Sequence, residues 1–371
     1  DHVETRTRLR ATWPLLLLAA VASCADGGGP TTPVGGAVDL SAEWESAAPA
    51  SLGMDAAALA AALDHGETLP QLISVVVVRH GRIAAERYYR GNHADSLNDV
   101  RSVTKSVVAT ITGIAAQDGL LSAESTIADR MDEWTASLDP ARRAISVRHL
   151  LTMSAGFEWN ESTAPGYNDW VLSPDPIAHV LQKPMLHAPG TTFTYNSGAV
   201  HLLSVLVEKY AGERIDQIAA AKLWPRLGVS RVPREIFPHD GRPNSGAGLA
   251  LQPRDMAKLG WLWLERARSG ETQVISEDWV DRGTRAAFSW WPTWEPLHEQ
   301  NYGALWWLYR SGGRSAFYAW GHGGQFIWVD PSLQLVVVTT NNWRNVPSAV
   351  ISAATRASME LIVNRVIPAV R

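Results

Sequence analysis

A gap in the strand signal limits the fold more than any other feature. Residues 120–240 hold no stretch that alternates apolar and polar side chains. They carry helical patterns cut by Pro and Gly: "VRHLLTMSAG", "DPIAHVLQKPM", "AVHLLSVLVEKYAG" and "RIDQIAAAKLW". Strand signals stand on both sides of this block. "LISVVVVRHGRIAAERYYRG" (Leu72–Gly91) is a β-branched run, a His80–Gly81 turn and a second strand. After Gly246 comes an amphipathic helix, "PRDMAKLGWLWLERARSG", and then "YGALWWLYRSG", "FYAWGHGG", "QFIWVDP" and "LQLVVVTTNN". Helical periods open and close the body, at Gly53–Gly66 and Ser348–Val363. No internal repeat is visible. Strands first, helices in the middle and strands last predict an α+β fold. Its antiparallel β-sheet is built from both ends of the chain, flanked by N- and C-terminal helices, with an inserted all-α lobe. The α/β lobe spans about 44–100 and 245–371, and the α lobe about 101–244. A site is expected where the lobes meet, because clefts form at such junctions.

Composition removes several function classes. Hydrophobic residues at 46% and charged residues at 19% describe a globular chain with a sizeable core. The net charge of −4 and the lack of a Lys/Arg run in the body argue against a nucleic-acid partner. Cys24 is the one cysteine, which excludes an intrachain disulfide, a Cys-based zinc site and a Cys–His catalytic pair. The histidines show no H-E-x-x-H or similar ligand spacing, so no metal is expected. Arg6, Arg8 and Arg10 precede the short apolar run "WPLLLLAAVA" (Trp13–Ala22), the pattern of a secretory signal over 1–23. That run is too short to span a bilayer as a stable helix. It ends in "VASC", similar to the lipobox of bacterial lipoproteins, with Cys24 as the lipidated residue. Residues 24–43, rich in Gly, Pro and Thr, read as a flexible tether between a membrane anchor and a domain at 44–371. The expectation is an exported lipoprotein facing the periplasm or cell exterior.

Within "VRSVTKSVV" (Val100–Val108), Ser102 and Lys105 are three residues apart. On a helix that spacing places both on one face, with the lysine amine reaching back towards the serine. Serine catalysis needs a base for the hydroxyl proton and donors for the oxyanion. The chain has no G-x-S-x-G elbow, so a Ser–Lys pair is the available solution. The same spacing fits an N-cap serine followed by a surface lysine. Taken alone, the pair leaves both readings open.

Two further motifs extend it. Tyr195-Asn-Ser197 and His322-Gly-Gly324 follow in order. They sit in "PGTTFTYNSGAVHLL" and "GHGGQFIWVDPSLQLVVV", with "RHLLTMSAG" and "RDMAKLGWLWL" between and beside them. The set resembles the S-x-x-K, Y-x-[NS] and [KH]-x-G motifs of the serine β-lactamase/DD-peptidase superfamily. The likeness is to its class C β-lactamase-related branch of esterases and 6-aminohexanoate-dimer hydrolases, over about residues 45–365. The resemblance implies roles. Ser102 is the acylated nucleophile, Lys105 activates it, and Tyr195 protonates the leaving group and then activates the deacylating water. Backbone N–H groups of Ser102 and Gln325 form the oxyanion hole. His322, Gly323, Gly324, Ser197, Asn196, Trp170 and Tyr167 are substrate-contact candidates, with Asp169 beside them. The unperturbed phenol pKa of about 10 requires cations near Tyr195 that lower it or share its proton.

Two departures shape the substrate expectation. Ser197 stands where β-lactamases commonly have asparagine, and His322 stands in place of the K-T-G lysine. Both weaken the case for a dedicated β-lactamase. The expected function is a cofactor-free serine hydrolase acting on small carboxylic esters or amides. A β-lactamase or DD-peptidase acting on cell-wall material is the alternative, and a binder that acylates without turnover is a third. Among the 17 tryptophans, Trp290, Trp291 and Trp294 are expected on a loop as a lid or cleft wall. Trp306 and Trp307 are expected on opposite strand faces.

Overall fold

A computed structural model describes residues 37–162, 166–237, 239–290, 295–297, 299–311 and 313–371. The signal, Cys24, Trp291 and Trp294 lie outside the described residues, as does the ring of Trp290. Strands β1 (Leu72–Arg79), β2 (Arg82–Tyr88), β3 (Phe288–Trp290), β4 (Gln300–Tyr302), β5 (Trp307–Ser311), β6 (Arg314–Gly321), β7 (Gln325–Asp330) and β8 (Leu335–Asn341) form an eight-stranded sheet. The order is β2-β1-β8-β7-β6-β5-β4-β3, and every pairing is antiparallel. The two ends of the chain meet where β1 pairs with β8, second and third in that order; there Val76 faces Val338 and Val78 faces Val336. Continuous valine runs suit this place, because strands covered on both faces need no polar alternation. All of β8 and most of β1 are buried. The β1–β2 hairpin turns on His80 (φ 50) and Gly81 (φ 74), a left-handed pair whose twist matches the flanking strands.

Helices α1 (Ala56–Glu67), α2 (Val103–Gln117), α3 (Ser197–Ala211), α4 (Pro253–Leu264) and α5 (Ser348–Leu361) pack on and beside this sheet. The Asp55 carboxylate caps α1 by accepting from the Ala57 and Ala58 N–H groups, both at 3.0 Å. Helix α4 lies on Ile327, Val329 and Val336; a methyl added at Gly260 would fall 2.6 Å from Ile327. The all-α lobe contributes α3, which packs along α2. Helix α2 is buried from Val103 to Ala115, so its hydroxyls need internal partners. Thr110 and Thr112 donate back along the helix, and Ser106 Oγ donates to the Leu305 carbonyl at 2.8 Å. Ser102 therefore stands at the start of a helix clamped between lobe and sheet.

Two expectations are corrected and one holds. Residues 37–43, read as tether, dock on the domain: Leu40 is 1% exposed and its N–H donates to Ser269 Oγ at 2.9 Å. A segment this short leaves no period to read. Trp306 and Trp307 take opposite faces as expected: Trp306 packs on Phe317 and Trp263, and Trp307 packs on Tyr318, the next residue along β6. Both are buried, because the sheet is covered on both sides. Phe288–Trp290, expected as loop, adds an edge strand against β4.

Candidate active site

Ser102 occupies the N-cap of α2 but does not cap it: its side chain accepts no hydrogen bond from the first-turn N–H groups. The hydroxyl is engaged elsewhere, accepting from Lys105 Nζ at 2.8 Å. This decides between the two readings of the pair. Lys105 is 1% exposed, not a surface lysine. Its amine is surrounded by three neutral oxygens: Ser102 Oγ at 2.8 Å, Ser197 Oγ at 2.9 Å and the Gly246 carbonyl at 2.6 Å. Burial without a directly paired carboxylate favours the neutral amine. Desolvation pushes the Lys105 pKa down to about 7; the Glu161 carboxylate opposes this and the Arg101 cation assists it. The Gly246 contact depends on the absence of a side chain. A Cβ there would lie 2.8 Å from Ser197 Cβ.

Tyr195 is half-buried, with Ser102 close enough to its hydroxyl to pull against the rise in its pKa. Its ring stacks on Trp307, with centroids 5.7 Å apart, and Lys105 Nζ lies 4.9 Å from its centroid. Burial and the Glu161 charge push the phenol pKa up, so it is a neutral hydroxyl at pH 7. The Arg101 cation does pull the phenol pKa down, but burial and the Glu161 charge outweigh it, so no net lowering results. What remains is a donor that can share a proton.

The other site expectations divide. Ser197, at the start of α3, is 1% exposed and serves Lys105. Asn196 is buried, and its Oδ1 accepts from the Ala199 N–H at 2.9 Å; it is a helix cap, not a substrate contact. Trp170 is also withdrawn from the cleft. It is 0% exposed, donates to the Pro176 carbonyl at 3.1 Å and packs on Phe237 at 5.1 Å. Trp170→Ala is therefore expected to cost about 3–5 kcal/mol of folding stability, read by denaturant unfolding. Tyr167 stays half-buried, its hydroxyl accepting from Asn244 Nδ2 at 2.8 Å, while Asp169 is exposed.

His322 is exposed at the end of β6, edge-on to Trp343 at 5.8 Å. Partial desolvation and the Arg101 charge lower its pKa, so the ring is neutral at pH 7. Gly323 (φ 85) and Gly324 (φ 91) make the turn into β7. The positive φ favours glycine, and a Cβ at 324 would meet Asn341 Nδ2 at 2.9 Å. Gln325 is buried with its amide locked to the Asn341 backbone: Nε2 donates at 3.0 Å and Oε1 accepts at 3.0 Å. The Ser102 N–H makes no backbone hydrogen bond to a described residue.

Sequence reasoning missed Glu161, Gly246, Arg101, Asn244 and Trp343. Glu161 Oε1 accepts from the Ser197 N–H at 2.5 Å and from Trp159 Nε1 at 2.8 Å, which fixes the start of α3 under Lys105. No local pattern marks these residues, since each acts through partners far away in the chain. A cavity of about 260 Å³ beside α2, lined by Val107, Val108, Ile111, Trp224 and Asn244, includes none of Ser102, Lys105 and Tyr195. Among the described residues, no group of three or more His, Cys, Asp or Glu is placed to hold a metal ion.

A family model for beta-lactamase matches residues 72–358 and takes in all three motifs. The chain belongs to the beta-lactamase family. It is a serine hydrolase of that family. The 6-aminohexanoate-dimer hydrolase of Paenarthrobacter ureafaciens is 24% identical over 285 residues, covering 72% of each chain. Family members of known structure share the fold. A Bacillus anthracis protein provisionally named a 6-aminohexanoate-dimer hydrolase superposes with TM-score 0.68 at 18% identity, over 90% of both chains. A class C beta lactamase from Rhodobacter sphaeroides gives TM-score 0.60 at 17% identity, over 83% of this chain and 99% of that one.

Proposed function

We propose that this family member cleaves small carboxylic esters or amides through an acyl-enzyme on Ser102. The 2.8 Å contact between Ser102 Oγ and a buried, readily deprotonated Lys105 carries the reading. Neutral Lys105 takes the hydroxyl proton as Ser102 Oγ attacks the substrate carbonyl carbon. Backbone N–H groups of Ser102 and Gln325 receive the oxyanion. Tyr195 O–H protonates the departing alkoxide or amine, and the Lys105 ammonium returns a proton to the phenol. Water then attacks the acyl-enzyme, its proton passing to the Tyr195–Lys105 pair, and Ser102 is released.

The relative named a 6-aminohexanoate-dimer hydrolase supports the amide half of this reading. A neutral His322 where a cation binds the β-lactam carboxylate in K-T-G enzymes supports esters and simple amides over lactams. A panel of p-nitrophenyl esters, linear amide oligomers, D-peptides and nitrocefin tests this. Ester or amide turnover at least tenfold above nitrocefin turnover is expected, and comparable rates would reverse the ranking. A stable adduct without turnover would mark a binder instead.

The export reading rests on residues 1–24 alone. Cys24 is then lipidated and anchors the domain to a membrane. Cys24→Ser is expected to move the protein from the membrane to the soluble fraction and to abolish incorporation of labelled palmitate; unchanged fractionation would refute the anchor.

A further inference from the structure

Arg101, the residue before the nucleophile, is not used by this mechanism. Its backbone is left-handed (φ 49), a conformation that costs a residue with a Cβ about 1–2 kcal/mol. Asp99 Oδ1 supports the turn by accepting from the Arg101 N–H at 3.2 Å. The side chain is half-buried, with its guanidinium carbon 4.6 Å from the Trp343 ring centroid and 5.4 Å from that of Tyr167. Aromatic faces hold a guanidinium without consuming its N–H donors.

Those donors have no partner among the described residues. Arg101 Nε is buried without a hydrogen bond, and no ion pair within 4.0 Å involves Arg101. The acids around it are committed. Asp99 Oδ2 accepts from Arg344 Nη2 at 2.6 Å, Glu235 Oε2 from Asn244 Nδ2 at 2.9 Å, and Glu161 Oε1 from Trp159 and Ser197. A buried donor left unmade costs about 1–3 kcal/mol, so the fold leaves this group ready for an outside acceptor. Its place is the catalytic cleft, because its charge acts on Lys105, Tyr195, Tyr167 and His322 together. His322 is neutral and supplies no charge there. Trp343, which holds Arg101 on its face, meets His322 edge-on at 5.8 Å.

We propose that Arg101, clamped between Trp343 and Tyr167, binds a carboxylate on the substrate and selects anionic esters or amides. A planar guanidinium accepts a carboxylate bidentately, which adds orientation to charge. This rests on the Ser102 acyl-hydrolase reading. The test compares a carboxylate-bearing ester, 4-nitrophenyl hemiglutarate, with neutral 4-nitrophenyl valerate, at pH 8.5, where Lys105 is mostly neutral. Wild type is expected to prefer the anionic ester by at least tenfold in kcat/KM. Arg101→Gln is expected to reduce that preference about 10–100-fold, through KM more than kcat. Arg101→Lys is expected to restore only part, since a lysine lacks the fork. In wild type the preference shrinks as KCl rises from 0.05 to 0.5 M, and glutarate competes with the neutral ester. No anionic preference in wild type, or equal losses on both esters in Arg101→Gln, would overturn the proposal and leave Arg101 as a brace for Tyr167. Fluorophosphonate labelling of Ser102 in the same samples separates the cases. Absent labelling defeats the hydrolase reading, whereas normal labelling with unchanged selectivity defeats only this one.

Discussion

Replacing Ser102 with alanine is expected to lower turnover of a p-nitrophenyl ester by roughly 10⁴–10⁶-fold, the range for removing a serine nucleophile. The fold should persist. Ser102 Oγ makes no capping bond to the α2 backbone, so its removal leaves no helix N–H newly unpaired. Lys105 gives up one hydrogen bond and keeps those to Ser197 Oγ and the Gly246 carbonyl. Fluorophosphonate should label wild type at Ser102, located by mass spectrometry, and should not label the variant. Activity surviving in Ser102→Ala would place the nucleophile elsewhere.

The second large effect concerns Lys105. Lys105→Met keeps the apolar stem but removes the base, and a loss of about 10²–10⁴-fold in kcat is expected. The pH profile carries more information. The Lys105 pKa is lowered to about 7, so the active, neutral amine accumulates as pH rises through 7. Wild-type kcat/KM on a neutral ester should climb with pH and level off above about 8. The direction of each neighbour's influence gives the sign of its variant. The Glu161 carboxylate raises the lysine pKa, so Glu161→Gln should move the midpoint to lower pH while its amide oxygen still accepts from Ser197 and Trp159. Arg101 lowers it, so Arg101→Gln should move the midpoint up. Midpoints that do not move in opposite senses would show that another group limits the reaction. Tyr195 is not a competing source of this limb, because its pKa is driven up, away from neutrality.

Much of this was legible in the chain. The valine runs Ser74–Val78 and Leu335–Val338 announce strands covered on both faces, and the strandless block from 120 to 240 announces the inserted helices. Ser102, Lys105 and Tyr195 were legible because each sits in a short motif with a fixed local spacing or order. Asn196 and Trp170 were misjudged for a common reason. Standing near a motif or in a cleft-facing segment says nothing about which way a side chain turns, and here one caps α3 and the other fills the helical core. Glu161 and Arg101 escaped notice because their significance lies in what they lack or whom they touch. The second glutamate of "FEWNES" looks like surface, and an arginine before S-x-x-K looks like solvent-facing charge.

The linear chain thus specifies the order of elements, the α+β class and the short motifs that carry Ser102, Lys105 and Tyr195, because periodicity and motif spacing are local properties. Only the packed structure decides the electrostatic state of the site. The Lys105 pKa is lowered because α2 is buried and three neutral oxygens, 92 and 141 residues away in two of the cases, surround its amine. Among the described residues Arg101 has no ion-pair partner, because Asp99, Glu161 and Glu235 are drawn to others. Desolvation and long-range pairing arise only when distant segments meet, so they leave no mark in the sequence of either segment.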